Sequence, residues 1–347
     1  MSRFIHSLYR RILFFLKRII LFLTKVINFI LAPLSLIISF RKDIEYIKNQ
    51  RNALALFYDQ LRKVNPELQS GTSCIIFSMD RAIQLHALLG TLREKLSSPL
   101  PIYILYRSSS VEHKEAYAEV ERMYSNEQVI FIEQSTKSTF KSQLISIIDR
   151  IGTDKLFFLV DDILVTDNIE VSDFEEIKCE KYVLSLRLGK NLTSSYNAQA
   201  VQPLPSFLSA EKIPRDTVCW KWNEGMFDWG YPLSVDGHVF LTKEMRAMVN
   251  SISFNSPNTF EGNLQLFKPI FDLRLGLAYS KSKLFNIPCN KVQEDNNNLH
   301  GKLHQSDLLK KWQEGYQIDY RALYDFVNVG VHQDVSFTFV KRTDYGH

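Results

Sequence analysis

The stretch with the sharpest chemical demand is KLFFLVDDILV, residues 155–165. Its apolar run from Leu156 to Val160 ends on two adjacent carboxylates, Asp161 and Asp162. A run of that type predicts a buried strand, and two like charges at its end are costly there without compensation. A metal ion, a pair of arginines or plain hydration in a turn would each supply it. Similar polar clusters follow three earlier apolar runs: Ser78-Met79-Asp80-Arg81, Arg107-Ser108-Ser109-Ser110 and Gln134-Ser135-Thr136-Lys137. Cations, hydroxyls and a carboxylate pair together suit a polyanion held through a divalent metal.

The elements that would position these groups alternate regularly. SCIIFSM (73–79), PIYILYR (101–107), VIFIEQ (129–134) and KLFFLV (155–160) read as buried strands. Between them, DRAIQLHALLGTLREKL, SVEHKEAYAEVERMY and STFKSQLISIIDRI have helical periodicity. Four strand–helix alternations with short joints indicate an α/β domain on a mostly parallel, Rossmann-like sheet flanked by helices. Ligands bind such sheets at the carboxyl ends of the strands, where these clusters fall. After Val165 the alternation is lost. KYVLSLRLG (181–189), VDGHVFL (235–241), LFNIPCNKVQ and VSFTFVKR read as strands, with helices from Thr242 to about Ile252 and over PNTFEGNLQLF. The segment between Pro203 and Ser234 reads as irregular and is rich in Trp, Tyr and Pro.

Paired acids after a strand have several precedents. A Walker B strand is excluded because GxxxxGK[ST] is absent. A phosphate-receiver domain places its acids at the first strand, whereas this pair ends the fourth. A divalent-metal site for a nucleoside diphosphate remains. Here the chain resembles glycosyltransferases of the GT-A type, especially bacterial family-2-like enzymes, which carry a DxD or xDD motif after the fourth strand. Val160-Asp161-Asp162 matches the xDD form.

That resemblance covers roughly residues 73–340 and implies a GT-A-like domain with a nucleotide-binding half (73–165) and an acceptor half (166–340). It implies that Asp162 binds Mn2+ or Mg2+ and that Asp161 faces the ribose or the metal's water shell. In FSMDR, Ser78, Asp80 and Arg81 would meet the nucleotide, with Arg107 adding charge nearby. The alternative for Asp80-Arg81 is a helix N-cap beside a surface cation. The family's Asp-Asp-Gly-Ser stretch after the second strand is replaced by YRSSS, so base or ribose recognition there differs.

An inverting transfer needs a general base for the acceptor hydroxyl. Glu261 and Asp236 qualify, although NTFE is also a capping-box pattern and SVDGH a plain turn. A retaining mechanism needs no such base, and the sequence is compatible with both. His332, in VGVHQDVSF, would be the extra metal ligand that some GT-A enzymes recruit late in the chain, or else a structural histidine. Trp220, Trp222, Phe227, Trp229 and Tyr231 suit stacking on an acceptor sugar, and equally a core corner packed with aromatics.

The chain has 347 residues and a formal charge of +4. Residues 1–42 carry eight Lys and Arg and no acid, so the remainder is about −4. A main domain without its own positive face argues against nucleic acid as a partner. The basic residues at 3, 10 and 17, and at 11, 18 and 25, recur every seven, so a helix would keep them on one side within about 20° per heptad. A cationic stripe opposite Ile, Leu and Phe predicts a membrane-associated arm, lying on the surface or spanning it. The uncharged run from Val26 to Phe40 would make a helix of about 22 Å against roughly 30 Å of hydrocarbon, and Pro33 interrupts it. Residues 43–72 read as a connector helix and loop. Cys74, Cys179, Cys219 and Cys289 form no CxxC pair, so free thiols in a reducing compartment are expected.

The sequence therefore leads to a metal-dependent glycosyltransferase at the cytoplasmic face of a membrane. It would take a nucleoside diphosphate sugar as donor and a saccharide or lipid-linked acceptor, in surface polysaccharide synthesis. The rivals are a non-catalytic membrane-tethered binding or scaffold protein on the same fold, and a nucleotidyltransferase.

Overall fold

The computed structural model describes residues 41–63, 67–209, 214–288, 305–324 and 326–342. The expectations for the N-terminal arm fall outside the described residues up to Phe40, and Cys289 also lies outside them. The chain divides into two units between Asn52 and Ala53. In the first unit, residues 41–52 are helical. Among the described residues no helix is long and apolar enough to cross a membrane.

The second unit opens with helical residues 53–63 (α1), whose Ala53 and Phe57 are buried. Three strand–helix pairs follow: β1 (Gln69–Met79) with α2 (Ala82–Lys95), β2 (Ile102–Arg107) with α3 (Val111–Tyr124), and β3 (Val129–Glu133) with α4 (Phe140–Arg150). β4 (Thr153–Val160) then runs into the aspartate pair. Side-chain caps start two of these helices. Ser110 accepts from the His113 amide, and Thr139 accepts from that of Ser142.

Beyond the pair the chain builds β5 (Ile163–Val165), α5 (Val171–Glu176), β6 (Tyr182–Ser185), a small hairpin of β7 (Ser194–Ser195) and β8 (Ala200–Val201), and β9 (Thr217–Lys221). β10 (His238–Leu241), α6 (Thr242–Ser251), α7 (Pro257–Leu264), α8 (Lys268–Phe271) and β11 (Leu275–Tyr279) complete the second half of the sheet. β12 (Leu284–Asn286), α9 (Gln305–Gln313), β13 (Tyr316–Ile318) and β14 (Phe339–Lys341) follow.

The main sheet has the order β3-β2-β1-β4-β10-β6-β11-β9. β1 to β4 are parallel, β10 is antiparallel to both neighbours, and β6 and β11 are again parallel. The mixed α/β architecture expected from the sequence is thus the one observed. Helices cover both faces, which is why the central strands are apolar at nearly every position. Along β4, Phe157 and Leu159 join the layer under α2 and α3, while Leu156 and Phe158 join the layer of α4, α6 and α7.

Two strands of the main sheet lie where the sequence suggests none. β9 falls inside the Trp-rich stretch read as irregular, and its partner is the equally unexpected β11. Their pairing places Gly276 against Trp220, where any Cβ would overlap the indole. Of the expected late strands, VSFTFVKR is extended only over Phe339–Lys341, and LFNIPCNKVQ only over Leu284–Asn286 among its described residues.

Candidate active site

The carboxyl ends of β1, β2 and β4 open into a cavity of about 790 Å³ that extends to α7 and to the segment around His332. The β1–β4 register sets its floor. Phe77 pairs with Val160, and the Asp161 amide continues the ladder by donating to the Phe77 carbonyl at 3.1 Å. The aspartate pair therefore emerges beside the loop that leaves β1.

Arg81 is the cation between the two acids. Its guanidinium donates to Asp161 Oδ1 at 2.9 Å and to Asp162 Oδ2 at 3.3 Å. Asp161 also accepts from the Ser78 hydroxyl (2.8 Å) and the Met79 amide (3.0 Å). It is buried and fully engaged with the β1 loop, so its observed work is to fix that loop. Asp162 is more accessible, with a side chain 17% exposed, and accepts from Asn286 Nδ2 at 3.1 Å. Burial raises the pKa of both acids, and Arg81 opposes the shift.

Asp80 takes neither role expected of it. It is buried, its backbone lies in the left-handed region (φ 56°), and its carboxylate accepts from the Ser109 amide at 2.8 Å. It ties the β1 loop to the β2–α3 loop instead of reaching the cavity, and α2 has no side-chain cap. Arg107, at the end of β2, does line the cavity together with Ser78 and Arg81.

The opposite end carries a second cluster. Arg187, just beyond β6, is buried and donates to Asp236 Oδ2 (3.0 Å) and Ser234 Oγ (2.6 Å). Glu261 Oε1 accepts from the Val235 amide at 3.2 Å. The capping box of α7 is formed by Ser256 and Thr259, so Glu261 has no capping duty and instead faces the cavity with Asp236. Burial lifts Asp236 to about 6, with Arg187 opposing and Glu261 adding to the shift. Burial also raises Glu261 and Asp228, again against Arg187. Asp236 can therefore exchange a proton near pH 6.

His332 lines the same cavity and pairs with Asn286 across a single parallel bridge. Burial, and then Arg187, lowers its pKa to about 3, which keeps the imidazole neutral. Among the described residues no three His, Cys, Asp or Glu side chains form a metal cluster. Asn286, which donates to Asp162, and His332, bridged to Asn286 on the same cavity wall, each carry a buried atom without a partner, Asn286 Oδ1 and His332 Nδ1. A hard divalent cation that takes one carboxylate and completes its shell with phosphate oxygens fits this donor set.

Trp220, Trp222 and Trp229 are fully buried. Trp220 packs edge-on against Trp222 and Trp229, with ring centroids 4.8 and 4.7 Å apart. The stacking role expected of these three indoles does not hold, because their faces are covered by one another. Tyr231 lines the cavity. Arg187, Asn286 and Asp228 were not singled out from sequence. A lone arginine inside the apolar run VLSLRLG is the signal that could have found the first, since a buried guanidinium requires a carboxylate.

No family model and no curated protein matches the sequence. Solved structures do. TarS of S. aureus in complex with UDP-GlcNAc is 14% identical with a TM-score of 0.42, covering 65% of this chain and 60% of that one. The likeness is one of fold. The bifunctional glycosyltransferase WbbM is 14% identical with a TM-score of 0.33, covering 65% of this chain and 40% of the other. 4-Diphosphocytidyl-2C-methyl-D-erythritol synthase from Anaerococcus prevotii DSM 20548 is 12% identical with a TM-score of 0.36, covering 70% and 96%. The chain spans between 36% and 60% of the TarS chains it matches.

Proposed function

We infer that this chain is a glycosyltransferase that moves a sugar from a nucleoside diphosphate sugar to a saccharide or lipid-linked acceptor in surface polysaccharide synthesis. The observation that carries this reading is the division of one cavity into two chemical ends. Arg81 and Arg107 stand at the strand ends, and the raised carboxyls of Asp236 and Glu261 stand at the other. Cations at the first end stabilise the negative charge that develops on a leaving diphosphate. A carboxylate with a pKa near the working pH at the second end is suited to take the proton of an attacking hydroxyl.

In this reading Asp236 is the base. Its ion pair with Arg187 opposes the burial-driven rise of its pKa and fixes its rotamer, while Glu261 adds an acid beside it. Asp161 positions the nucleotide loop through Ser78, Met79 and Arg81. Asp162, with Asn286 and His332 beside it, would hold Mn2+ or Mg2+. When bound, such an ion supplies Lewis-acid stabilisation of the diphosphate. The basic arm of residues 1–42 would bring the enzyme to the cytoplasmic face of a membrane, where a lipid-linked acceptor is presented.

The decisive experiment incubates the full chain with a panel of UDP-, GDP- and dTDP-sugars and follows release of the nucleoside diphosphate. Turnover of one donor, stimulated by a saccharide or lipid-linked acceptor, is expected. Tight nucleotide binding without turnover of any donor would favour the scaffold. Release of pyrophosphate from a nucleoside triphosphate with a sugar phosphate would favour the nucleotidyltransferase.

A further inference from the structure

The aromatic segment between Trp220 and Tyr231 divides its rings unequally. While the three indoles are fully buried, Phe227 is 41% exposed and stands on the cavity wall. Its φ of 50° puts a bulky residue in the left-handed region, a strained placement that persists only when its surroundings impose it. The surroundings are rigid. The Trp229 amide donates to the Met226 carbonyl at 3.0 Å, and Trp220 Nε1 donates to the Trp229 carbonyl at 3.0 Å. Gly225 lies so close that a Cβ would overlap the Trp229 carbonyl. The buried tryptophans thus brace a corner that holds one bare ring out into a polar cavity.

The next residue supplies the complementary polarity. The Asp228 amide donates to Gln202 Oε1 at 2.9 Å, and Asp228 lines the cavity with Ser195 beside its carboxylate. A carboxylate on the cavity wall beside an apolar ring face matches a ligand that has both hydroxyl donors and a C–H face. Charge narrows the class further. Asp228, Asp236 and Glu261 outnumber Arg187 at this end of the cavity, so a phosphate or carboxylate on the ligand would be repelled.

We propose that Phe227 and Asp228 form a subsite for a neutral pyranose, with the ring face stacked on Phe227 and its hydroxyls bonded to Asp228. Assigning this pyranose as the acceptor rests on the glycosyl-transfer reading above; its binding does not. An uncharged sugar held there presents a hydroxyl to the end of the cavity that contains Asp236.

Saturation-transfer NMR on the full chain tests this with methyl glycosides of glucose, galactose, mannose and N-acetylglucosamine, and with methyl glucuronide. At least one neutral glycoside is expected to receive saturation on its ring C–H protons, and the glucuronide less. Phe227→Gly relieves the strained backbone, so the variant folds, and its glycoside binding should weaken about three- to tenfold. Phe227→Trp should retain binding. Asp228→Asn should reduce the preference for the neutral sugar over the glucuronide. Wild-type binding in Phe227→Gly, no saturation of any neutral glycoside, or equal binding of the glucuronide would each overturn the proposal. A chain that binds a neutral glycoside but turns over no nucleotide sugar refutes glycosyl transfer and leaves the subsite standing. The reverse result refutes the subsite alone.

Discussion

The two ends of the cavity solve the same problem, buried carboxylates, in opposite ways. At the strand ends, Arg81 reaches both Asp161 and Asp162, and backbone and hydroxyl donors complete Asp161. At the far end, Arg187 is shared among Asp236, Glu261 and Asp228, and the acids outnumber it. The first arrangement fixes a loop and, with Arg107 on the same wall, balances two carboxylates with two cations. The second leaves negative charge and a proton to exchange. In the proposed glycosyl-transfer reading, the balanced end would take the diphosphate with its metal and the acidic end the attacking hydroxyl, kept apart at opposite ends of one cavity.

The largest effect should come from breaking the first arrangement. Arg81→Ala leaves two buried carboxylates without their cation, and a loss of about 3–5 kcal/mol is expected in urea unfolding. A loss below about 1 kcal/mol would mean that water, not Arg81, compensates the pair. A smaller effect on stability but a large one on ligand follows from Asp162→Ala. Manganese-dependent protection by UDP or GDP in a melting assay should disappear, and unchanged protection would remove Asp162 from the metal reading.

The second arrangement is tested by pH. Asp236 has a folded pKa of about 6, above its ordinary value of 3.8, so the native state holds that proton longer than the unfolded chain does. Its contribution to stability is complete below 3.8 and is lost as pH rises through about 6, and the slope should flatten in Asp236→Asn. Donor turnover stimulated by acceptor should rise over the same window as the base ionises. The smallest effect contrasts the exposed ring with the buried ones. Phe227→Gly should keep or raise the unfolding temperature, by up to about 1 kcal/mol of stability, whereas Trp229→Ala should cost about 3–5 kcal/mol.

The strand-end half of the cavity was legible because its signals are local. Each strand of the first half is a contiguous apolar run, and the polar residues that follow it must emerge at the same sheet edge once the strands are parallel. KLFFLV followed by two aspartates needed no distant partner to be placed on the fourth strand. The far half was not legible in this way. β9 and β11 recognise each other across more than fifty residues, through a glycine that accommodates Trp220. Asp236 and Glu261 could be named as carboxylates, but their meeting with Arg187 is a product of three separate segments. The aromatic stretch pointed to sugar stacking, yet composition alone could not divide its rings between core and cavity.

By itself the sequence determined the alternation of strands and helices, the position of the acid pair at a strand end, and the concentration of positive charge in the N-terminal arm. These follow from periodicity and composition, which act over a few residues. Only the tertiary structure decided that Arg81 pairs with both aspartates, that Asp80 braces a loop, and that Phe227 rather than a tryptophan faces the cavity. Burial and pairing decide those roles, and both are set by segments that lie far apart in the chain and come together only when the sheet closes.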